Sequence, residues 1–119
     1  MPASVLIVDD DPKFRALAGQ LLADSGIEVV GAVGTVAEAL SVAMRVKPSA
    51  ALVDVELPDG DGFALARALT ELPWQPRVVL TSTYPGVGST AEVRRHGAQA
   101  FVHKADLPRA PLRSLLDGE

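Results

Sequence analysis

A chain of 119 residues with no cysteine has the size of one domain, able to bury a core without disulfides. Its 15 acidic against 11 basic residues exclude the clustered basic surface on which nucleic-acid affinity depends, and Arg94-Arg95 is the only adjacent basic pair. No apolar run approaches bilayer-spanning length and the N-terminus lacks a basic flank or cleavage site, so one cytoplasmic domain over residues 1–119 is expected.

Val5-Leu-Ile-Val8 reads as a buried strand that ends in Asp9, Asp10 and Asp11. Asp11-Pro12 has the form of an N-cap followed by proline at the first helical position. The helix should run from Lys13 to Ser25, with Phe14, Leu17, Ala18, Leu21 and Leu22 on its apolar stripe and Gly26 past its end. Phe14 is read as core. Glu28–Val33 is the second strand. Thr35-Val-Ala-Glu38 is a capping box opening a helix to Arg45, which Pro48 closes off.

The third strand, Ala51–Val55, carries Asp54 at its end and runs into Pro58-Asp-Gly-Asp-Gly62, where Asp59 and Asp61 are read as turn acids. A helix over Gly62–Leu72 leaves through Pro73-Trp-Gln-Pro76, with Trp74 covering the core. Arg77–Thr81 is the fourth strand, followed by Ser82 and Thr83. Glycine and proline in Tyr84-Pro-Gly-Val-Gly88 oppose helix, so mobility is expected over Tyr84–Ser89 and a short helix over Ser89–His96. Ala100–Lys104 is the fifth strand. Pro108 and Pro111 leave room for a brief last helix, Leu112–Asp117.

Strands alternating with helices define an α/β fold with a doubly wound, five-stranded parallel sheet. In the order 2-1-3-4-5, ligands bind where strands one and three diverge, and those are the two acid-tipped strands. Carboxylates pooled about 5 Å apart repel by roughly 3 kcal/mol per pair at an effective dielectric near 20, which calls for a cation. Oxygen ligands alone suit Mg²⁺ or Mn²⁺; the histidines, His96 and His103, lie far along the chain.

These residues resemble the receiver domains of two-component response regulators, over nearly the whole chain: the pair Asp9-Asp10, Asp54 followed by Pro58 and Gly62, Thr81, Phe101, and Lys104 three residues later. The resemblance implies the flavodoxin-like receiver fold. It makes Asp54 the nucleophile that takes a phosphoryl group from a phosphohistidine of a sensor kinase or phosphotransfer protein in a phosphorelay. Asp10 and Asp54 would ligate Mg²⁺ directly, Asp9 through water and Glu56 through its carbonyl. Thr81 and Lys104 would contact phosphoryl oxygens. Glu56, Ser82 and Thr83 would tune the phosphate lifetime, and Thr81 and Phe101 would form the switch. Output or homodimerisation would use the face of helix 4, strand 5 and helix 5.

The pattern departs from the family where proline usually follows the strand-five lysine. Ala105 stands there, so a trans Lys104-Ala105 bond and a reshaped loop are expected. Lys104-Ala-Asp-Leu107 is similar to the loop of regulators with a LuxR/NarL-type helix-turn-helix output. Two rival readings are a small haloacid-dehalogenase-like phosphohydrolase, with its nucleophile in Asp9-Asp10-Asp11, and a degenerate receiver that only binds proteins. On the receiver reading the chain is a phosphoacceptor that assists its own phosphorylation and hydrolysis, not an enzyme with external turnover.

Overall fold

Val5–Val8, Ala51–Val53 and Val78–Leu80 have no polar face, so each strand must be covered on both sides. The computed structural model, which describes residues 3–84 and 89–118, does this with one parallel sheet between two helical layers. Its strands are β1 (Ser4–Val8), β2 (Glu28–Val33), β3 (Ala50–Asp54), β4 (Arg77–Ser82) and β5 (Ala100–His103), arranged β2-β1-β3-β4-β5. The helices are α1 (Pro12–Asp24), α2 (Val36–Val46), α3 (Gly62–Thr70), α4 (Thr90–Arg95) and α5 (Leu112–Asp117). The expected fold and strand order are therefore present.

Side chains alternate along each strand, so one run feeds two cores. Val5, Ile7, Leu52 and Val79 pack with Phe14, Ala18 and Leu22 of α1 and with Leu112 and Leu116 of α5. Leu6, Val8, Val53 and Leu80 meet Ala39 and Ala43 of α2, the apolar face of α3, and Val93 of α4. Each fully buried aliphatic side chain contributes roughly 2 kcal/mol of transfer free energy. The sheet is thus a rigid base for the groups at its C-terminal edge.

Caps fix where the helices begin. Asp11 Oδ1 accepts from Lys13 N at 2.9 Å, Thr35 Oγ1 from Glu38 N at 3.1 Å, Asp61 Oδ1 from Phe63 N at 2.9 Å and Ser89 Oγ from Glu92 N at 3.2 Å. Trp74 Nε1 donates to the Pro48 carbonyl at 3.0 Å and closes the opposite edge of the sheet.

Several boundaries differ from the sequence reading. β3 begins at Ala50 and ends on Asp54, because beyond it the chain turns into a two-residue antiparallel ladder, Glu56–Leu57 against Gly60–Asp61. α3 stops at Thr70: Leu72 N bonds back to Leu69 O, a tightened last turn, and Pro73 disfavours helical geometry at Leu72. β5 stops at His103, and Lys104–Arg109 forms a 3-10 turn that drives Leu107, fully buried, into the α1/α5 core. The Lys104-Ala105 bond is trans as expected, and no peptide bond among the described residues is cis. The mobility expected for Tyr84–Ser89 falls on a segment whose residues 85–88 lie outside the described ones. Among the described residues, no helix is long and apolar enough to cross a membrane.

Candidate functional site

The register of β1 with β3, Val8 opposite Val53, sets the ends of the two strands side by side. Asp9 and Asp10 leave β1 where Asp54 ends β3, and ligand oxygens of these three residues lie within 4.8 Å of one another. Asp9 is fully buried, Asp54 is 6 % exposed and Asp10 faces solvent. The predicted carboxylate pool therefore exists, with two members inside and one at the mouth.

Lys104 supplies the counter-charge. Its Nζ lies 2.7 Å from Asp9 Oδ2 and 3.3 Å from Asp54 Oδ2. The first contact is an ion pair without hydrogen-bond alignment, since Asp9 Oδ2 has no hydrogen-bond partner among the described residues; the second is also a hydrogen bond. Burial pushes Asp54 above the ordinary carboxylate range, against the Glu56 N–H and the Lys104 charge, which both oppose the rise. Burial alone would lower Lys104, but Asp9 and Asp54 outweigh it and hold the ammonium above the usual lysine range.

Backbone contacts fix the carboxylates. Asp9 Oδ1 accepts from Asp11 N at 2.9 Å, and Asp54 Oδ1 from Glu56 N at 3.2 Å. Arg15 donates to the Asp9 carbonyl at 2.6 Å and so ties α1 to the end of β1. Gly62 N donates to Val55 O at 2.9 Å, and a Cβ on Gly62 would overlap the Asp54 carbonyl and lie 2.6 Å from Val55 Cα. Glycine is required there by close backbone approach.

Asp10, Asp11, Asp54, Glu56, Ser82, Thr83, Tyr84 and Lys104 line one open cleft of about 270 Å³. Thr81 pairs in register with Asp54 on the neighbouring strand, and its Oγ1 is buried with no hydrogen-bond partner among the described residues. Phe101 stands apart from this cleft. It is level with Leu80 while Thr81 is level with Val102, and it lines a separate groove with Thr90, Val93 and His103. Its ring meets the His103 ring edge-on at 4.9 Å, whereas His96 packs on Phe63.

Three buried or clustered carboxylates against one ammonium leave an excess of negative charge, and among the described residues Asp9 Oδ2 lacks a hydrogen-bond partner. An all-oxygen donor set of this kind fits a hard divalent cation. Asp9, Asp10 and Asp54 are the residues that could hold it.

Sequence reasoning did not anticipate Arg15 or the reach of Asp59. A cation in the first turn of α1 opposes the helix dipole, and that was the available signal for Arg15. Asp59 sits in its turn as expected. Its carboxylate, however, also accepts from Val36 N at 2.7 Å and Ala37 N at 3.1 Å, capping α2 from another loop. Those bonds hold Asp59 below the ordinary carboxylate range. No local pattern announces a cap donated from 23 residues away.

A parallel sheet in this order, with clustered acids and a lysine at its C-terminal edge, defines a receiver-type α/β domain. The chain belongs to the response regulator receiver domain family, which matches residues 5–114. It is 35 % identical over 123 residues to the DNA-binding transcriptional activator DevR/DosR of Mycobacterium tuberculosis, covering 95 % of this chain and 57 % of that protein. It is 35 % identical over 103 residues to a protein-glutamate methylesterase/protein-glutamine glutaminase of Archaeoglobus fulgidus, covering 86 % of this chain and 30 % of the relative. The chain thus spans from under a third to just over half of these curated relatives. Among solved structures it is similar to the receiver domain of the putative response regulator NarL from M. tuberculosis, with TM-score 0.86 and 29 % identity over 98 % of this chain and 95 % of that one.

Membership of this family makes the chain a phosphoacceptor module and sets aside the haloacid-dehalogenase-like reading. The geometry agrees: a nucleophile at Asp9 would be fully buried and already paired with Lys104. Family membership and the assembled acids, hydroxyl and lysine also weigh against a degenerate receiver.

Proposed function

We propose that Asp54 accepts a phosphoryl group from the phosphohistidine of a sensor kinase or a histidine phosphotransfer protein. One Asp54 carboxylate oxygen forms the new P–O bond as the P–N bond to histidine breaks, and the nitrogen lone pair returns to the imidazole. The observation that carries this reading is the meeting of Asp9, Asp10 and Asp54 with Lys104 Nζ 3.3 Å from Asp54.

Asp9, Asp10 and Asp54, with the Glu56 carbonyl, are the proposed ligands for Mg²⁺ or Mn²⁺. When bound, the ion neutralises charge on the phosphoryl oxygens. Lys104 offers its ammonium to one phosphoryl oxygen. The buried Thr81 hydroxyl, without a hydrogen-bond partner among the described residues, offers a hydrogen bond to another, and Ser82, Thr83 and Glu56, which line the cleft, would set the phosphate lifetime.

Thr81 and Phe101 form the proposed switch, with Phe101 leaving its groove as Thr81 is drawn toward the phosphoryl group. The output would be read on α4, β5 and α5, by an attached domain or a second copy. The similarity to DevR/DosR and NarL supports transcription regulation through a LuxR/NarL-type output domain.

Incubation with acetyl phosphate and Mg²⁺, followed by intact-mass measurement and peptide mapping, tests the proposal. One phosphoryl group per chain on Asp54, absent from Asp54→Asn, is expected. Phosphate on another side chain, or multiple turnover of p-nitrophenyl phosphate, would overturn it.

A further inference from the structure

Lys104 reaches the site along a path that ends over an aromatic ring. Its Nζ lies 4.4 Å from the centroid of Phe14, on the third residue of α1, while meeting Asp9 Oδ2 at 2.7 Å and Asp54 Oδ2 at 3.3 Å. An ammonium carries three N–H groups. Asp54 Oδ2 accepts from one of them and Asp9 Oδ2 is ion-paired beside it, while the negative face of the Phe14 ring covers a further side of the cation.

Phe14 also has an ordinary structural part to play, since it is 7 % exposed and packs in the α1/α5 core. Packing alone asks only for apolar volume. The placement of a charged nitrogen over the ring asks for a π face, and that separates the two roles by experiment. Arg15, the next residue, holds the Asp9 carbonyl at 2.6 Å, so the first turn of α1 grips both the acid and the lysine.

We infer that Phe14 is a positioning residue for phosphoryl transfer, its ring holding the Lys104 ammonium against the Asp9/Asp54 pair. The inference rests on the receiver reading for its kinetic consequence, but the contact itself does not. A ring retained at this position keeps Lys104 aimed at the acceptor carboxylate; an aliphatic side chain leaves the lysine free to swing toward solvent.

The test compares wild type, Phe14→Tyr and Phe14→Leu. NMR of the metal-free proteins reads the Lys104 ε-methylene shift, and acetyl phosphate with saturating Mg²⁺ reads the phosphorylation rate. Upfield ring-current shifts are expected in wild type and Phe14→Tyr and their loss in Phe14→Leu. The rate should fall about fivefold in Phe14→Leu and recover in Phe14→Tyr, the size expected of a partly desolvated cation–π contact. A wild-type Lys104 without an upfield shift overturns the inference with no variant needed. So do Leu and Tyr variants slowed equally, because that is a packing effect. A wild type that accepts no phosphate on Asp54 sinks the receiver reading, and the ε-methylene shift then decides by itself whether Phe14 holds the ammonium.

Discussion

Lys104 Nζ is closer to Asp9 Oδ2, at 2.7 Å, than to Asp54 Oδ2, at 3.3 Å. Without a divalent ion the lysine therefore serves mainly to neutralise the fully buried Asp9, and an ion taking over Asp9 would leave Lys104 for the acceptor. Removing one partner of a buried pair strands the other. Lys104→Met should destabilise the metal-free protein by about 3 kcal/mol in urea titrations, and Mg²⁺ should restore part of the loss. The folded-state pKa of Lys104 is raised, so its contribution is complete at neutral pH and disappears as pH rises above the usual lysine range, near 10.4. Equal stability of wild type and variant at pH 7 would remove Asp9 neutralisation as the resting task of Lys104.

Asp54 behaves oppositely. Burial raises its pKa, so the folded state holds the proton more tightly, and stability falls as pH rises through the carboxylate range. At neutral pH the charge is a burden on the metal-free fold. Asp54→Asn should raise the melting temperature without metal, while Mg²⁺ should stabilise wild type more than the variant because binding to the native state adds stability by mass action. Identical Mg²⁺ responses in scanning calorimetry would count against Asp54 as a ligand.

Gly62 faces the peptide of Asp54, the proposed acceptor. A methyl group there would overlap the Asp54 carbonyl, which belongs to a central strand and cannot retreat. Gly62→Ala should cost about 3 kcal/mol by overpacking and slow phosphorylation by displacing Asp54. A variant as stable and as reactive as wild type would show that the loop moves freely at this point.

Much of this architecture was legible because it is written locally. Apolar runs gave the strands, Asp11, Thr35 and Ser89 gave helix starts, and the acids closing β1 and β3 gave the site once the strand order was known. What stayed hidden depends on side chains that meet through the tertiary fold. Leu107 needs the α1/α5 core before Lys104–Arg109 has a reason to coil. The Phe14 ring looks like any core aromatic until Lys104 arrives over it from β5. The placement of Phe101 one position out of step with Thr81 is a matter of register, which the hydrophobic pattern of the β4 and β5 segments does not fix.

Asp59 joins the acceptor loop to α2. Its two bonds to Val36 N and Ala37 N depress its pKa, so the cap is fully formed above the unfolded carboxylate value and is lost as pH falls through the lower folded value. Asp59→Ala should lower the melting temperature at pH 7, with the gap to wild type closing as the solution is acidified, and Asp59→Asn should recover only part of the cap, because a carboxamide offers one acceptor oxygen to two N–H groups. A gap that stays constant from neutral to acid pH would assign the effect to something other than the carboxylate.

Thr81 sets stability against use. Its Oγ1 is buried beside Asp54 without a partner among the described residues, and an unsatisfied buried hydroxyl costs about 1 kcal/mol or more. Valine has nearly the same shape and no hydroxyl. Thr81→Val should therefore match or exceed the wild-type stability of the unphosphorylated protein, by up to about 1 kcal/mol in urea. It should also accept phosphate from acetyl phosphate more slowly and gain less thermal stability from beryllofluoride, because the hydroxyl proposed to meet a phosphoryl oxygen is gone. If Thr81→Val instead lowers stability and leaves phosphorylation unchanged, the hydroxyl is a structural group with a partner in solution, and its place in the proposed switch falls with it.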